Sequence, residues 1–320
     1  MVRMAVVGAG VMGANHLRIL ALLPSADLVF VVDSDANRAE VAASRHGCRW
    51  STDVRDLFGA VDGAVLAVPS TQHYALGIEL LEMGLHVLIE KPIASSVDEA
   101  RRLIETAERG RRILAVGHVE RFNPVCLDLP RYVESPVFVQ TRRLSSYDPR
   151  IEDGVARDML IHDADLVLSL AGSEPMHVGA VGLTARSKNE DLISATVTFE
   201  SGLVAQLTAG RIAQSKIRQI DVIQDGSMVT ADLLRQDLSI RRQTTVELVQ
   251  EGDVRFRETS IVEIPFLSHH GEPLWLELEN FVDAVAGGSA PLVDGHAGLA
   301  ALALCEEIVA AARSTSGDLR

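Results

Sequence analysis

Residues 4 to 33 constrain the fold more than any other part of this sequence. A short apolar run, Met4 to Val7, leads into Gly8-Ala9-Gly10-Val11-Met12-Gly13, and helix-compatible residues follow from Ala14 to Leu23. In that setting Gly8 permits a tight turn, Gly10 lets the backbone approach a pyrophosphate, and Gly13 lets helix and strand pack closely. The helix N-terminus, with Val11 and Met12 in its first turn, is then aimed at the phosphates. A second apolar run, Leu28 to Val32, ends at Asp33, twenty residues beyond Gly13. A carboxylate there accepts hydrogen bonds from ribose hydroxyls and repels a 2′-phosphate, which favours NAD. Arg38, a few residues on, could meet such a phosphate and leaves NADP open. The competing explanation, a glycine-rich turn with no ligand, has to account for strand, spacing and acid together.

Short valine- and alanine-rich runs recur after this motif at Gly63 to Val68, His86 to Ile89 and Ile113 to Val116, with amphipathic stretches such as Val97 to Arg109 between them. Buried parallel strands read this way, so a doubly wound α/β sheet is expected. From about Pro136 the texture changes to period-2 runs: Val137 to Leu144, His177 to Ala185, Ile193 to Phe199, Val204 to Arg211 and Ile217 to Ile223. Glu200-Ser201-Gly202 and Asp225-Gly226 fall where hairpin turns are needed, which predicts a mostly antiparallel sheet. Helical patterns at Met159 to Ala171, Leu274 to Ala286 and Gly295 to Ala312 make the second half α+β. The expected domains are residues 1–122, binding the dinucleotide, and 123–320, serving substrate and assembly. The polar tail from Ser314 is expected to fray.

With 320 residues, 47% of them hydrophobic, the chain can fill two cores. Its 30 basic and 44 acidic side chains give a net charge of -14, which opposes binding to nucleic acid or an anionic membrane. The apolar start runs at once into glycines, unlike a signal peptide, and a cytoplasmic location is expected. Cys48, Cys126 and Cys305 lack C-x-x-C spacing, and His162, Asp163 and Asp165 match no established ligand pattern, so neither a disulfide nor a metal site is expected.

Two further clusters carry chemistry. Glu90-Lys91-Pro92 interrupts the fourth run at the C-terminal sheet edge, where ligands approach. A lysine there can stabilise a developing alkoxide; it can equally be a solvated partner of Glu90. Asp158-Met159-Leu160-Ile161-His162-Asp163 opens a helix on which residues four apart share a face. His162 could take a hydroxyl proton with Asp158 orienting it, or the two could be an exposed pair.

Together these residues resemble the Gfo/Idh/MocA oxidoreductases, which join a Rossmann domain to an α/β domain built on a large open sheet. The family's E-K-P signature matches Glu90-Lys91-Pro92 and its D-x-x-x-H signature matches Asp158 and His162. The resemblance implies that Lys91, Asp158 and His162 are catalytic and that Pro69, Ser70 and His73, in the loop after the third strand, lie beside the cofactor. It also implies that the polar crossing His118-Val119-Glu120-Arg121-Phe122-Asn123-Pro124 contacts cofactor and substrate, with interdomain bonding as the alternative for Arg121 and Asn123. The wording of that segment, and of His270-Gly271-Glu272-Pro273-Leu274 and Pro291-Leu292-Val293-Asp294-Gly295, is similar to the sugar-nucleotide 3-dehydrogenase branch, implying an NDP-hexose substrate. Leu160 and His296 depart from the common pattern, which leaves a free sugar or an inositol open. A cofactor-bound sensor of the same fold is a further alternative. So is a reductase acting on a tetrapyrrole or an imine, although such a pocket needs more aromatic and apolar lining than a chain only 4% aromatic offers.

One face of the antiparallel sheet carries Ile193, Val197, Phe199, Leu203 and Leu207, whereas Ser194, Thr196, Thr198, Val204, Gln206 and Thr208 on the other carry no charge. A face of that kind suits contact with another sheet, so a homodimer or homotetramer is expected.

Overall fold

The computed structural model describes residues 1–149, 153–251 and 254–315, the side chains of 244–251, 254–260 and 315 excepted. The tail expected to fray lies largely outside the described residues. Two compact units are present: Met1–Phe122 with Gly271–Ala303, and Asn123–His270 with the chain from Leu304 onward.

The first unit opens with β1 (Val2–Val7), α1 (Val11–Leu20), β2 (Ala26–Val32), α2 (Ala36–His46), β3 (Arg49–Ser51), β4 (Gly63–Leu66), α3 (His73–Glu82), β5 (His86–Glu90), α4 (Val97–Gly110) and β6 (Leu114–Gly117). Its six strands form one sheet in the order β3-β2-β1-β4-β5-β6, every pair parallel. The central strands are covered on both faces, which is why their sequences run apolar without alternation. One side packs Leu66, Leu80, Ile89 and Leu103; the other packs Met4, Leu17, Leu20 and Val31. α4 begins at Ser96, whose hydroxyl accepts from the Glu99 N–H, while the Glu99 carboxylate accepts from the Ser95 N–H. β3 carries no apolar period in its three residues and was not expected.

The second unit contains α5 (Pro124–Asp128), β7 (Pro136–Leu144), a π-helical turn at Ala156–Leu160, α6 (Ile161–Ala171), β8 (Pro175–Leu183), β9 (Leu192–Phe199), β10 (Val204–Gly210), β11 (Ile217–Gln224), β12 (Ser227–Asp232), β13 (Asp237–Glu251) and β14 (Val254–Glu263). These strands form one sheet in the order β14-β13-β12-β11-β7-β10-β9-β8, antiparallel except where β10 lies parallel to β7. Gly202 (φ 87) and Gly226 (φ 69) sit in the two expected hairpin turns. Along β9 and β10, Ile193, Ala195, Val197, Ala205 and Leu207 are buried. The alternate positions form a half-open polar face, where Ser194 meets Thr208 at 3.3 Å and Gln140 donates to Gln206 at 2.9 Å.

The chain then returns to the first unit through α7 (Pro273–Val285) and the start of α8 (Gly295–Thr315). The segment 271–303, expected with residues 123–320, therefore packs elsewhere. Leu274, Leu278, Phe281 and Val282 of α7 join Met4, Leu17 and Leu20 in one core cluster, and Gly298 of α8 lies so close to Val116 that a Cβ would stand 2.5 Å from its side chain. By length and apolar composition α8 could cross a membrane. It is instead a core helix, with Ala301, Leu302, Cys305 and Ile308 fully buried in protein.

Candidate active site

In the first unit the strand order reverses between β1 and β4, and a cleft of about 490 Å³ opens at the C-terminal ends of these strands. Open α/β sheets bind ligands at this switch point. Gly8, Gly10, Asp33, Arg38, Pro69 and Gln72 are among its walls. Gly8 has a φ of 96, and a Cβ on it would stand 2.4 Å from Ala67 O. A Cβ on Gly13 would stand 1.7 Å from Gly8 O, so only glycine lets α1 start this close to the loop. A Cβ on Gly10 would meet no protein atom within 4 Å. Gly10 caps α1 with no side-chain hydrogen bond, and Val11 and Met12 are exposed, which leaves the first N–H groups of α1 available to an anion.

Asp33 is 7% exposed. Its Oδ2 accepts from the Ala9 N–H at 2.8 Å and its Oδ1 from the Asp35 N–H at 2.9 Å, so the ribose-binding candidate also fixes the glycine loop. Arg38 is half exposed, with its Nε 3.8 Å from Asp33 and its Nη2 3.5 Å from Asp35. Its charge is thus already balanced by two carboxylates. The Arg38 N–H caps onto Asp35, whose carboxyl is held below the usual range first by that backbone bond. Glycine loop, helix terminus and acid fit a dinucleotide.

His73 is 1% exposed, with Nδ1 2.7 Å from Pro92 O and Nε2 2.9 Å from Val68 O. It ties the loop after β4 to the Lys91-Pro92 turn, and burial pushes its ring below the usual histidine range. Ser70 is half-buried, and its carbonyl lies 3.4 Å from the Ser95 hydroxyl, which donates to it.

At the end of β5 the Glu90 carboxylate accepts from the Lys91 N–H at 3.3 Å, and its other oxygen lies 2.7 Å from Nε2 of His16, a fully buried residue on α1. Burial alone would push the Glu90 carboxyl up; the His16 ring and the Lys91 charge outweigh it and hold the group below its ordinary value. Glu90 therefore anchors the turn that carries Lys91, itself half-buried. His118, fully buried after β6, and Arg121, partly buried on the turn Val119–Phe122, complete the first unit's polar edge.

In the second unit Asp158 lies within the π turn and His162 in the first turn of α6; both are partly buried. The sequence predicted a regular helix here. The wider turn changes how residues four apart project, and such π segments recur at functional sites. Glu190 accepts from the Ala156 N–H at 3.2 Å and caps the entry to the turn. Arg143 of β7 donates from Nε and Nη2 to Asp163, at 3.0 and 2.7 Å, and both partners are 3% exposed, which fastens α6 beside His162. Asn123, a substrate-binding candidate, works locally: its Oδ1 accepts from the Val125 N–H and its Nδ2 donates to Leu233 O.

Two family models describe these same halves. Residues 2–118 match the model for the oxidoreductase family's NAD-binding Rossmann fold, and residues 129–317 match its C-terminal alpha/beta domain. The chain belongs to the Gfo/Idh/MocA oxidoreductase family. Its cofactor is NAD, and it is a dehydrogenase of the group that acts on sugar and polyol CH–OH groups. The UDP-N-acetylglucosamine 3-dehydrogenase of Acidithiobacillus ferrooxidans is 30% identical over 96% of each chain. A solved structure of that enzyme superposes with a TM-score of 0.90 over 98% of each chain. Inositol 2-dehydrogenase 1 of Saccharopolyspora erythraea is also 30% identical, over 95% of this chain and 92% of its own.

Several residues that support the candidate groups of each unit of this Gfo/Idh/MocA oxidoreductase were not singled out in the sequence. Thr52 and Gln72 line the cleft, His16 holds Glu90, and Arg143 holds α6. His16 had a readable signal, being a titratable residue one position before Leu17 on the buried stripe of α1. Arg143 had none, since an arginine on an alternating strand usually faces water.

Proposed function

We propose that this dehydrogenase interconverts the C3 hydroxyl and C3 ketone of a nucleotide-linked hexose, with a UDP-N-acetylhexosamine as the leading candidate. The observation that carries this reading is the full-length similarity to the Acidithiobacillus ferrooxidans enzyme. His162 takes the hydroxyl proton as the C–H bond breaks. NAD, when bound, supplies the acceptor for the hydride. Lys91 donates a hydrogen bond to the substrate oxygen and stabilises its developing charge, Asp158 supports the imidazole, and His118 and Arg121 contact the sugar. Balance is complete when the alcohol has lost one hydride and one proton.

A second reading, oxidation of an inositol ring, is favoured by the equal identity to the Saccharopolyspora erythraea enzyme. Purified protein with NAD is to be offered UDP- and TDP-hexoses, free sugars and myo-inositol, and reduced nicotinamide followed by absorbance. A kcat/KM at least about 100-fold higher for a UDP-N-acetylhexosamine than for myo-inositol is expected, the margin a site built to hydrogen-bond its substrate provides. The reverse ranking moves the assignment to the polyol, and silence across the panel favours the sensor reading.

The half-open polar face of the second unit's sheet is proposed to join two copies of the chain in the cytoplasm. Polar ladders such as Gln140 with Gln206 suit a sheet-to-sheet interface better than a free surface. Light scattering at micromolar concentration is expected to give at least a dimer mass; a monomer contradicts the proposal.

A further inference from the structure

The buried stripe of α7 contains one acid. Leu274, Glu277, Leu278 and Phe281 recur at helical spacing, and Glu277 is 1% exposed among them. Neither of its carboxyl oxygens has a hydrogen-bond partner among the described residues. A buried polar group left in this state costs stability that a leucine would not, so its presence calls for an explanation.

α7 packs against α1 and against the turn Val119–Phe122. The elements packed against α7 carry His16 and Arg18 on α1 and Glu120 and Arg121 on the turn, and the Glu90 charge at the end of β5 acts on Glu277. On α7 itself are Glu279 and Asp283, with Glu272 just before it, paired to Arg18 at the surface. Glu90 is the decisive neighbour. Its carboxylate is wedged between His16, the Lys91 N–H and Gly117, where a Cβ would stand 3.1 Å from it.

Carboxylates that feel each other's charge inside a protein oppose each other's ionisation. Burial first, and then the Glu90 charge, push the Glu277 carboxyl well above its ordinary range, while His16 and Lys91 hold Glu90 below its own. The two shifts are opposite in sign, so Glu90 is the more readily ionised of the pair.

We propose that Glu277 is a positioning residue for the dehydrogenation: on the stripe of α7 that packs against α1, it keeps Glu90 on His16 and so holds the Lys91 turn in place, and a second charge there would drive Glu90 off His16 and misplace Lys91. The proposal rests on the catalytic assignment of Lys91. Acting through the Lys91 turn, it affects kcat and not the KM for NAD.

The test pairs infrared spectroscopy of the NAD-bound protein with pH profiles of kcat. At pH 7 the difference spectrum of wild type against Glu277→Gln is expected to contain one protonated-carboxyl C=O band that the variant lacks. The band is expected to titrate away in step with an alkaline fall in kcat. In Glu277→Gln, and in Glu277→Leu should the first variant fold poorly, that fall is lost while Glu277→Asp restores it. In Glu90→Gln the band titrates at lower pH, because the charge that held the proton in place is gone. Absence of the band, or an alkaline limb unchanged in Glu277→Gln, overturns the proposal. If Lys91→Ala leaves kcat unchanged while the band is present, the catalytic reading of Lys91 has failed and Glu277 retains only its protonation state.

A carboxyl whose folded value is raised contributes stability that is fully present below its ordinary range and is lost as pH rises through the raised value. Glu277→Gln is accordingly expected to gain on wild type in denaturant midpoint as pH rises.

Discussion

Lys91→Ala is expected to lower kcat about 10²- to 10³-fold, and His162→Ala about 10²- to 10⁴-fold, with NAD affinity unchanged in both. Removing a donor to a developing alkoxide costs the transition state and spares the ground state, so the loss falls on kcat and not on cofactor binding. Removing the base leaves the hydroxyl proton with no acceptor except water. Steady-state kinetics beside NAD titration measures both quantities. Lys91 lies at the end of β5 on a turn anchored by Glu90 and His16, and His162 lies at the start of α6 fastened by Arg143 and Asp163, so neither alanine removes an anchor. Unaltered kcat in both variants contradicts the assignment.

Gly13→Ala is expected to be the most damaging single change in the glycine loop. Its new Cβ would stand 1.7 Å from Gly8 O, a backbone atom that cannot rotate away, so α1 has to shift off β1. Overpacking of this kind costs about 1–3 kcal/mol or more, and the same shift moves the helix N–H groups proposed to face the phosphates. Both the unfolding midpoint and NAD affinity should fall. Gly10→Ala is the informative contrast, since its Cβ would meet no protein atom within 4 Å. Stability is then expected to stay within about 0.5 kcal/mol of wild type, while NAD binding weakens because the methyl group occupies the space the pyrophosphate needs. Equal affinity in Gly10→Ala would place the dinucleotide elsewhere.

The first unit was readable because its signals are local and mutually dependent. Strand, glycine spacing and Asp33 imply one another, and the parallel strands announce themselves as apolar runs. The return of residues 271–303 to that unit was not readable: the stripe Leu274, Leu278, Phe281 says that a face is buried but not against what, and chain order favours a contiguous domain. The same stripe contained the signal for Glu277, an acid at an apolar position. β12, β13 and β14 were missed because Val229, Ala231, Leu238 and Ile240 are buried on one face only, among charged neighbours that blur the period. The Asp158 and His162 pattern was found by its residues, whereas the π turn that carries it depends on Glu190, over thirty positions away, and on its bond to the Ala156 N–H.

The proposed reaction transfers hydride directly from C3 of a nucleotide-linked hexose to NAD. It is tested by the mass of the reduced cofactor after turnover of UDP-N-acetylglucosamine deuterated at C3. NADH heavier by one deuterium and a 3-keto product free of it are expected. Unlabelled NADH formed alongside a product that retains the C3 deuterium would contradict it.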